Sequence, residues 1–473
     1  MVFSSLIFLF AFLALNLVVY LFVPQRLKNP TLLVFSLVFY AWGAPPFVLL
    51  LAGETFVSWL CALAIERSNA QFGRRLFMVL ECVILLGLLA YFKYAGFFMS
   101  NVAAILNAPD LIPDVILPIG ISFYTFQLIS YVADVYRGQV AAQPRYWKLL
   151  LYSSLFYQCI AGPIVRYETV AEQIDNRHVT QEDLYEGVRR FCIGLAKKAV
   201  LANSCAAVAD TLLPIGGEAL ATQSMCGVWL GMVFYMFQIY FDFSAYSDMA
   251  IGMGRMVGFR FLENFRYPYI ATSVQDFWRR WHISLSSFFR DYVYIPLGGS
   301  RCSKAKYVRN MTIVWLLTGF WHGASWNYIL WGLFYLVFLL LEKFVIRDRM
   351  PRPIGHVYTL LVVLVGWILF RFENFAEMGT VLAGFFGFGA GGFIGMEVQT
   401  AFMQNVFLFI FCIIACTPLG KWLRSKFCEL AERSSVALTV YKVGEVVLPI
   451  AMLLVAIVAL AGASYNPFIY FQF

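Results

Sequence analysis

Ten stretches of this 473-residue chain are apolar for roughly the length of a membrane crossing, and no other feature constrains the fold as much. They lie near 4–23, 30–43, 47–65, 76–97, 116–135, 225–250, 326–342, 356–371, 402–419 and 444–462. A helix needs about 20 such residues to span a bilayer, and inside lipid the backbone must satisfy its own hydrogen bonds. The chain is therefore expected to be an all-α, polytopic membrane protein. Composition agrees, with 61% hydrophobic and 13% charged residues, where a soluble domain carries about 25% charged ones. The first run, SSLIFLFAFLALNLVVYLFV at 4–23, has no basic stretch before it and no small-residue cleavage site after it. It reads as a retained span rather than a removed leader. Two further segments have unusual lengths. The one at 149–164 is short and ends in AGP, which suggests a re-entrant element. The one at 184–214 is charged first and apolar after, as if rising from the cytoplasmic surface through the bilayer.

Basic residues fall between the runs. They occur at Arg26 and Lys28, at Arg67, Arg74 and Arg75, and at Arg137, Arg145 and Lys148. They recur through Arg177–Lys198, Arg255–Arg309, Lys343–Arg352 and Lys421–Lys442, whereas 98–115, 215–224, 372–401 and 463–473 contain none. Cytoplasmic loops carry this excess, so the pattern puts the basic set inside and both termini outside. Lys93 and Arg371 are the exceptions; each lies at a span end, where a long side chain reaches the interface. The net charge of +8 is thus topological. The expected partner is the lipid bilayer, not nucleic acid. Ten cysteines without a CxxC pair read as packing residues, with no disulfide framework and no metal site. A formal GxGxxG at Gly387, Gly389 and Gly392 lacks a strand–turn–helix setting and reads as an external loop.

The polar residues inside the apolar runs carry the functional argument. From Met311 to Leu341 the chain has no acidic or basic residue, yet His322 lies in the middle, within GFWHGASWNYILWG. The run is too long for one span and too short for two complete ones. Gly319 and Gly323 bracket the histidine, and Ser325 and Asn327 follow, which predicts a helix break inside the membrane. A core histidine bonded to a carbonyl is the competing reading, but an ionisable group at membrane depth is a functional candidate by default. His282 lies in SVQDFWRRWHISLSSFFRDYVYIPLGG. Ser273 and Asp276 have capping-box spacing, and Phe277, Trp281, Leu285, Phe288 and Tyr292 recur on one face, predicting an amphipathic helix. Asp242 and Asp248, in YFDFSAYSDMAIG, need counterions, most simply arginines from 255–290. His178 and His356 lie in basic connections and read as solvated.

No H-E-x-x-H, Walker lysine motif or G-x-S-x-G occurs. A lone membrane histidine suits general-base chemistry, because imidazole has an unperturbed pKa of about 6.5 and takes a proton from a hydroxyl near neutral pH. Attack of that hydroxyl on a thioester would transfer an acyl group. A transporter or flippase without covalent chemistry is the rival class.

At these residues the sequence resembles the membrane-bound O-acyltransferases, and most of all the bacterial branch that O-acetylates alginate, peptidoglycan and other envelope polysaccharides. The likeness runs in order through LPIGISFYTFQLISYVADVYRG, IAGPIVRYE, YFDFSAYSDMAIGMG, QDFWRRWHISLSSFFRDYVYIPLGG, GFWHGASWNYILWG and the ending NPFIYFQF. Ala245 and Tyr157 stand where the branch commonly has glycine and proline. The resemblance implies one domain over 1–473, with a catalytic core at about 116–342 and a final span and aromatic tail at 444–473. It implies about 11–13 membrane helices around a thin polar core and tunnel, in the bacterial inner membrane. It further implies that His322 is catalytic and His282 supports it, with acetyl-CoA as cytoplasmic donor and no metal. Acetyl would reach an envelope polysaccharide through a separate extracytoplasmic acetyltransferase; a related alternative transfers D-alanyl groups. Basic residues of 255–309 would attract the phosphates of CoA. Trp321 and Trp326 would form tunnel wall. Tyr470 is a candidate acyl acceptor, because a phenol ester stays activated for onward transfer.

Overall fold

The computed structural model describes residues 2–159, 162–216, 218–346 and 349–462. The protein is 78% helical, and the described residues form no strand. Among the described residues, eight helices are long and apolar enough to cross a membrane: Pro45–Arg67, Gln71–Leu106, Gln181–Leu212, Met225–Met256, Trp326–Ile346, Arg352–Arg371, Met396–Ala415 and Ser435–Ala461. Phe8–Phe22 and Phe375–Phe385 are shorter apolar helices. The run expected at 116–135 is the 17-residue helix Ile121–Arg137. The mixed segment at 184–214 belongs to the continuous helix Gln181–Leu212, as its two halves suggested. At 149–164 the nine-residue helix Tyr146–Ser154 ends at Leu155.

The chain forms two compact units. One comprises Met1–Phe191, Ser247–Glu263 and Ser287–Pro296. Its helices include α1 (Val48–Arg67), α2 (Gln71–Leu89) and α3 (Ile121–Arg137). Buried polar pairs tie them together. Thr125 Oγ1 donates to Glu54 Oε2 at 2.9 Å, and Ser58 Oγ donates to Glu81 Oε1 at 3.1 Å. Such partners are what a carboxyl at membrane depth requires.

The other unit comprises Cys192–Tyr246, Asn264–Ser286 and Leu297–Phe473. It draws on α4 (Met225–Met256) as far as Tyr246, α5 (Val274–Arg280), and α6 (Ile283–Phe289) as far as Ser286. The helices α7 (Lys304–His322), α8 (Trp326–Leu341) and α9 (Arg352–Arg371) lie wholly within it. α7 and α8 approach backbone to backbone. A β-carbon on Gly332 would lie 2.4 Å from the Trp315 carbonyl oxygen, and one on Gly319 would lie 2.5 Å from that of Tyr328. Only glycine allows that approach, so the hairpin is written into GFWHGASWNYILWG at both ends.

Two expectations are corrected. The counterions of α4 do not come from 255–290. Lys198 pairs with Asp242 at 2.6 Å, with both side chains at most 3% exposed, and Arg190 pairs with Asp248 at 2.6 Å. Both cations come from EGVRRFCIGLAKK, whose charges neutralise buried carboxylates. The amphipathic helix expected across His282 is likewise broken there into α5 and α6. The Ser273 half of that spacing does open α5, with Ser273 Oγ accepting from the Asp276 N–H at 3.0 Å.

Candidate active site

His322 is the last residue of α7. The helix stops there, Gly323 and Ser325 are extended, and α8 begins at Trp326. The predicted break is therefore present, immediately after the histidine. Asn327, one residue into α8, donates from Nδ2 to the carbonyls of Leu369 and Phe370 at 3.2 and 3.3 Å. These are among the last carbonyls of α9, which have no partner within their own helix. The amide thus joins the start of α8 to the end of α9 and brings the Phe370 ring to 5.2 Å from the His322 ring, edge to face. Trp331 lies at 4.8 Å and Trp321 at 5.1 Å. His322 is 5% exposed.

His282 joins α5 to α6 with φ at +45°. A residue with a β-carbon pays on the order of 1–3 kcal/mol for such a conformation, and it persists only where the surroundings enforce it. The enforcement is visible. Arg266 N–H donates to the Arg280 carbonyl at 2.9 Å, and Ile283 N–H donates to the Asn264 carbonyl at 3.0 Å. In a continuous helix Ile283 N–H would bond four residues back, so the 264–266 segment takes the bond that would otherwise carry the helix through His282. The periodic apolar face continues across the break, with Phe277, Trp281, Leu285 and Phe288 all buried. That is why the pattern read as one helix.

The side chain of Asn264 reaches the same turn. Its Oδ1 accepts from Ser284 N–H at 3.1 Å and Ser284 Oγ at 2.9 Å, and lies 3.3 Å from His282 Nδ1. Phe243 of α4 packs edge-on at 4.7 Å. His282 is 1% exposed and lies between the candidate spans; burial pushes its imidazole down to about 3, so it is neutral at physiological pH.

The two histidines meet through one side chain. The Trp321 indole lies 5.5 Å from the His282 ring and 5.1 Å from the His322 ring, edge to face with both. Trp326, paired with it in the sequence reading, is 51% exposed at the start of α8. Ser325 stands at the N-cap of α8 without a side-chain capping bond. His178 is exposed, as read; His356 is half-buried and bonds the Ala271 carbonyl through Nδ1 at 3.0 Å. Tyr470 lies outside the described residues. Among the described residues, no three His, Cys, Asp or Glu side chains group as metal ligands. Sequence reasoning passed over Asn264, Phe243, Trp331 and Phe370. The one available signal was a fully buried asparagine, and burial cannot be read from LENFRYPY.

The model of the MBOAT, membrane-bound O-acyltransferase family, matches residues 139–376. A probable alginate O-acetylase, AlgI, of Pseudomonas putida is 37% identical over the full length of both chains. A peptidoglycan O-acetyltransferase of Helicobacter pylori is 33% identical over 82% of this chain and 80% of its own. A teichoic acid D-alanyltransferase of Bacillus subtilis is 28% identical over 57% of this chain and 74% of its own. The matched region contains α4 to α9 and both histidines, and with full-length kinship beside it the chain belongs to the membrane-bound O-acyltransferase family and is an O-acyltransferase.

Proposed function

We propose that the protein moves acetyl from cytoplasmic acetyl-CoA across the bacterial inner membrane for O-acetylation of an envelope polysaccharide of the alginate or peptidoglycan type. A separate extracytoplasmic acetyltransferase completes the transfer. The observation that carries the reading is the convergence of His322 and His282 on the buried Trp321 indole. The names of the two relatives above 30% identity support acetyl as the group transferred. Residues 1–473 act as one domain, with the chemistry in 116–342 and an outward-facing tail bearing Tyr470.

His322 is the general base. Its imidazole takes the proton of an acceptor hydroxyl while that oxygen attacks the thioester carbonyl carbon. The tetrahedral intermediate collapses, the C–S bond breaks, and the thiolate takes the proton from the imidazolium. The acetyl group ends as an ester and CoA as the free thiol. His282, held neutral in its turn, positions a reactant. Tyr470 is the candidate first acceptor, a phenol on a tether of a few residues after the last span.

Proteoliposomes of known orientation test this, with labelled acetyl-CoA on the cytoplasmic side and envelope acceptor with its partner enzyme outside. Wild type should deliver label and His322→Ala should lose at least about a hundredfold, the scale of general-base catalysis, at equal folding and insertion. Equal label from both proteins would remove His322 from the chemistry. Transfer of a D-alanyl but not an acetyl thioester would move the protein to the other branch of the family.

A further inference from the structure

Arg177 is a buried cation, 6% exposed, whose polar contacts are all neutral. Its Nε donates to the Tyr20 hydroxyl at 3.1 Å and the Val257 carbonyl at 3.0 Å. Its Nη1 donates to Asn29 Oδ1 at 2.5 Å and to the carbonyls of Gln173 and Ile174 at 3.3 and 3.1 Å. Nη2 is buried without a partner. Two more cations lie nearer the surface. Lys28 Nζ is 5.0 Å from the centre of the Tyr20 ring, with the Arg177 guanidinium 5.8 Å from the same centre, and Arg26 is exposed two residues earlier. Gln25 Nε2 and Asn29 Nδ2 donate to the carbonyls of Arg177 and Ile174, at 2.9 and 2.7 Å, and pin this turn against Arg177. The acids close by in the sequence do not compensate: Asp175 pairs with Lys148, Asp183 with Arg255 and Arg260, and Glu172 is exposed. Among the described residues none of Arg26, Lys28 and Arg177 is ion-paired. Lys28 also opens the 16-residue helix Lys28–Gly43, whose first turn has no acidic residue and no side-chain cap. The positive end of the helix dipole therefore adds to the cations.

We propose that Arg26 and Lys28 hold the phosphodiester of an anionic phospholipid in the cytoplasmic leaflet, drawn there by the charge of Arg177 behind them. A buried charge calls for a counterion, and a buried one is poorly screened by salt. Arg26 and Lys28 touch the phosphate. Arg177 stays bonded to Tyr20 and Asn29 and acts through space, so nothing has to enter its pocket. The charge pattern puts both contributing stretches, 24–29 and 177–198, on the cytoplasmic side. The neighbouring surface favours a lipid over a soluble phosphate. Leu21, Phe22 and Leu27 are exposed on either side of the turn, Phe22 to 87%. Val34 and Val38, one helical turn apart on Lys28–Gly43, are exposed as well. Acyl chains cover such side chains, whereas the phosphates of a nucleotide have no use for them. Basic pockets between membrane helices on this side suit anionic headgroups.

The full chain, stripped of lipid in detergent and mixed with equal phosphatidylglycerol and phosphatidylcholine, can be read by native mass spectrometry. Wild type should retain phosphatidylglycerol over phosphatidylcholine at least about tenfold, the scale of two cations beside an anionic headgroup. An Arg26→Gln, Lys28→Gln double variant should lose that preference. An Arg67→Gln, Arg75→Gln double variant, which removes two exposed cations from the same basic set, should keep it. No preference in wild type overturns the inference whether or not the variants fold. So does a preference kept by the first double variant, or an equal loss in both, which would mean diffuse charge rather than a site. Acetyl-CoA added to the lipid-loaded wild type separates the two sources of phosphate. Lipid that stays bound supports the assignment. Lipid displaced by acetyl-CoA gives the site to the acyl donor and overturns it.

Discussion

At His282 burial decides the protonation state, and the consequence reaches stability. In the unfolded chain a histidine binds a proton near pH 6.5; in the fold burial holds this one neutral down to about 3. Between those values the unfolded state binds more protons, so stability falls as pH drops from about 6.5 toward 3 and is unaffected above that window. The slope from this one group is at most about 1.4 kcal/mol per pH unit. Thermal midpoints in detergent at pH 7 and pH 5 should therefore fall further for wild type than for His282→Gln. Parallel changes in the two proteins would mean that His282 is not held neutral. The same residue shows what was legible. His322 and His282 stood out because ionisable groups in apolar surroundings are rare and need a reason. Asn264 did not, because an asparagine in a loop is unremarkable until its neighbours are known.

Helix elements were legible where an apolar run coincided with one helix and illegible where tertiary bonds cut across a periodic pattern. The break at Gly323 was announced by two glycines and a polar pair. The break at His282 had no local signal, because its cause is the 264–266 segment bonding Arg280 and Ile283 from outside the pattern. The counterions of Asp242 and Asp248 were misplaced for a related reason: pairing was sought downstream in sequence, and the partners arrive from a preceding helix. The α7–α8 hairpin makes a sharper demand. At Gly332 an added β-carbon meets the Trp315 carbonyl oxygen at 2.4 Å, a backbone atom that cannot move aside alone. Gly332→Ala should force the helices apart, costing about 1–3 kcal/mol as overpacking does, and should loosen the ring contacts of Trp331 and His322. Gly53→Ala, within α1 and with nothing within 4 Å of the new carbon, is the matched control. It should be neutral or slightly stabilising, since alanine is the better helix former. Measured by the thermal shift of the detergent-solubilised protein, equal midpoints for the two variants would refute the close-approach account.

At the scale of the whole molecule, sidedness follows from charge, and the helices allow it to be counted. Lys28–Gly43, Ile121–Arg137 and Lys304–His322 are helices of 16, 17 and 19 residues; only the last reaches the usual spanning length, but all three connect a basic stretch to a stretch without Lys or Arg. If these and Phe8–Phe22 cross along with the eight longer helices, twelve crossings result, an even number that returns the chain's end to the side of its start. Every basic patch then falls on one side and every connection free of Lys and Arg on the other, as the retention of positive loops requires. Cysteine labelling in intact cells tests the arrangement, in a background with the ten native cysteines replaced and acyl transfer retained. Asn107→Cys and Ala390→Cys should react with a membrane-impermeant maleimide from outside. Asn69→Cys and Ser434→Cys should react only after the membrane is opened. These four positions are exposed in the fold, so failure to react reports sidedness rather than burial. An inverted pattern would place the basic 255–309 segment away from cytoplasmic CoA and remove the electrostatic reason for drawing the donor from that side. The expected pattern places the end of α7, and with it His322, some 28 Å of helix from the basic face. That is the distance an acetyl group must be carried if donor and acceptor never share a compartment.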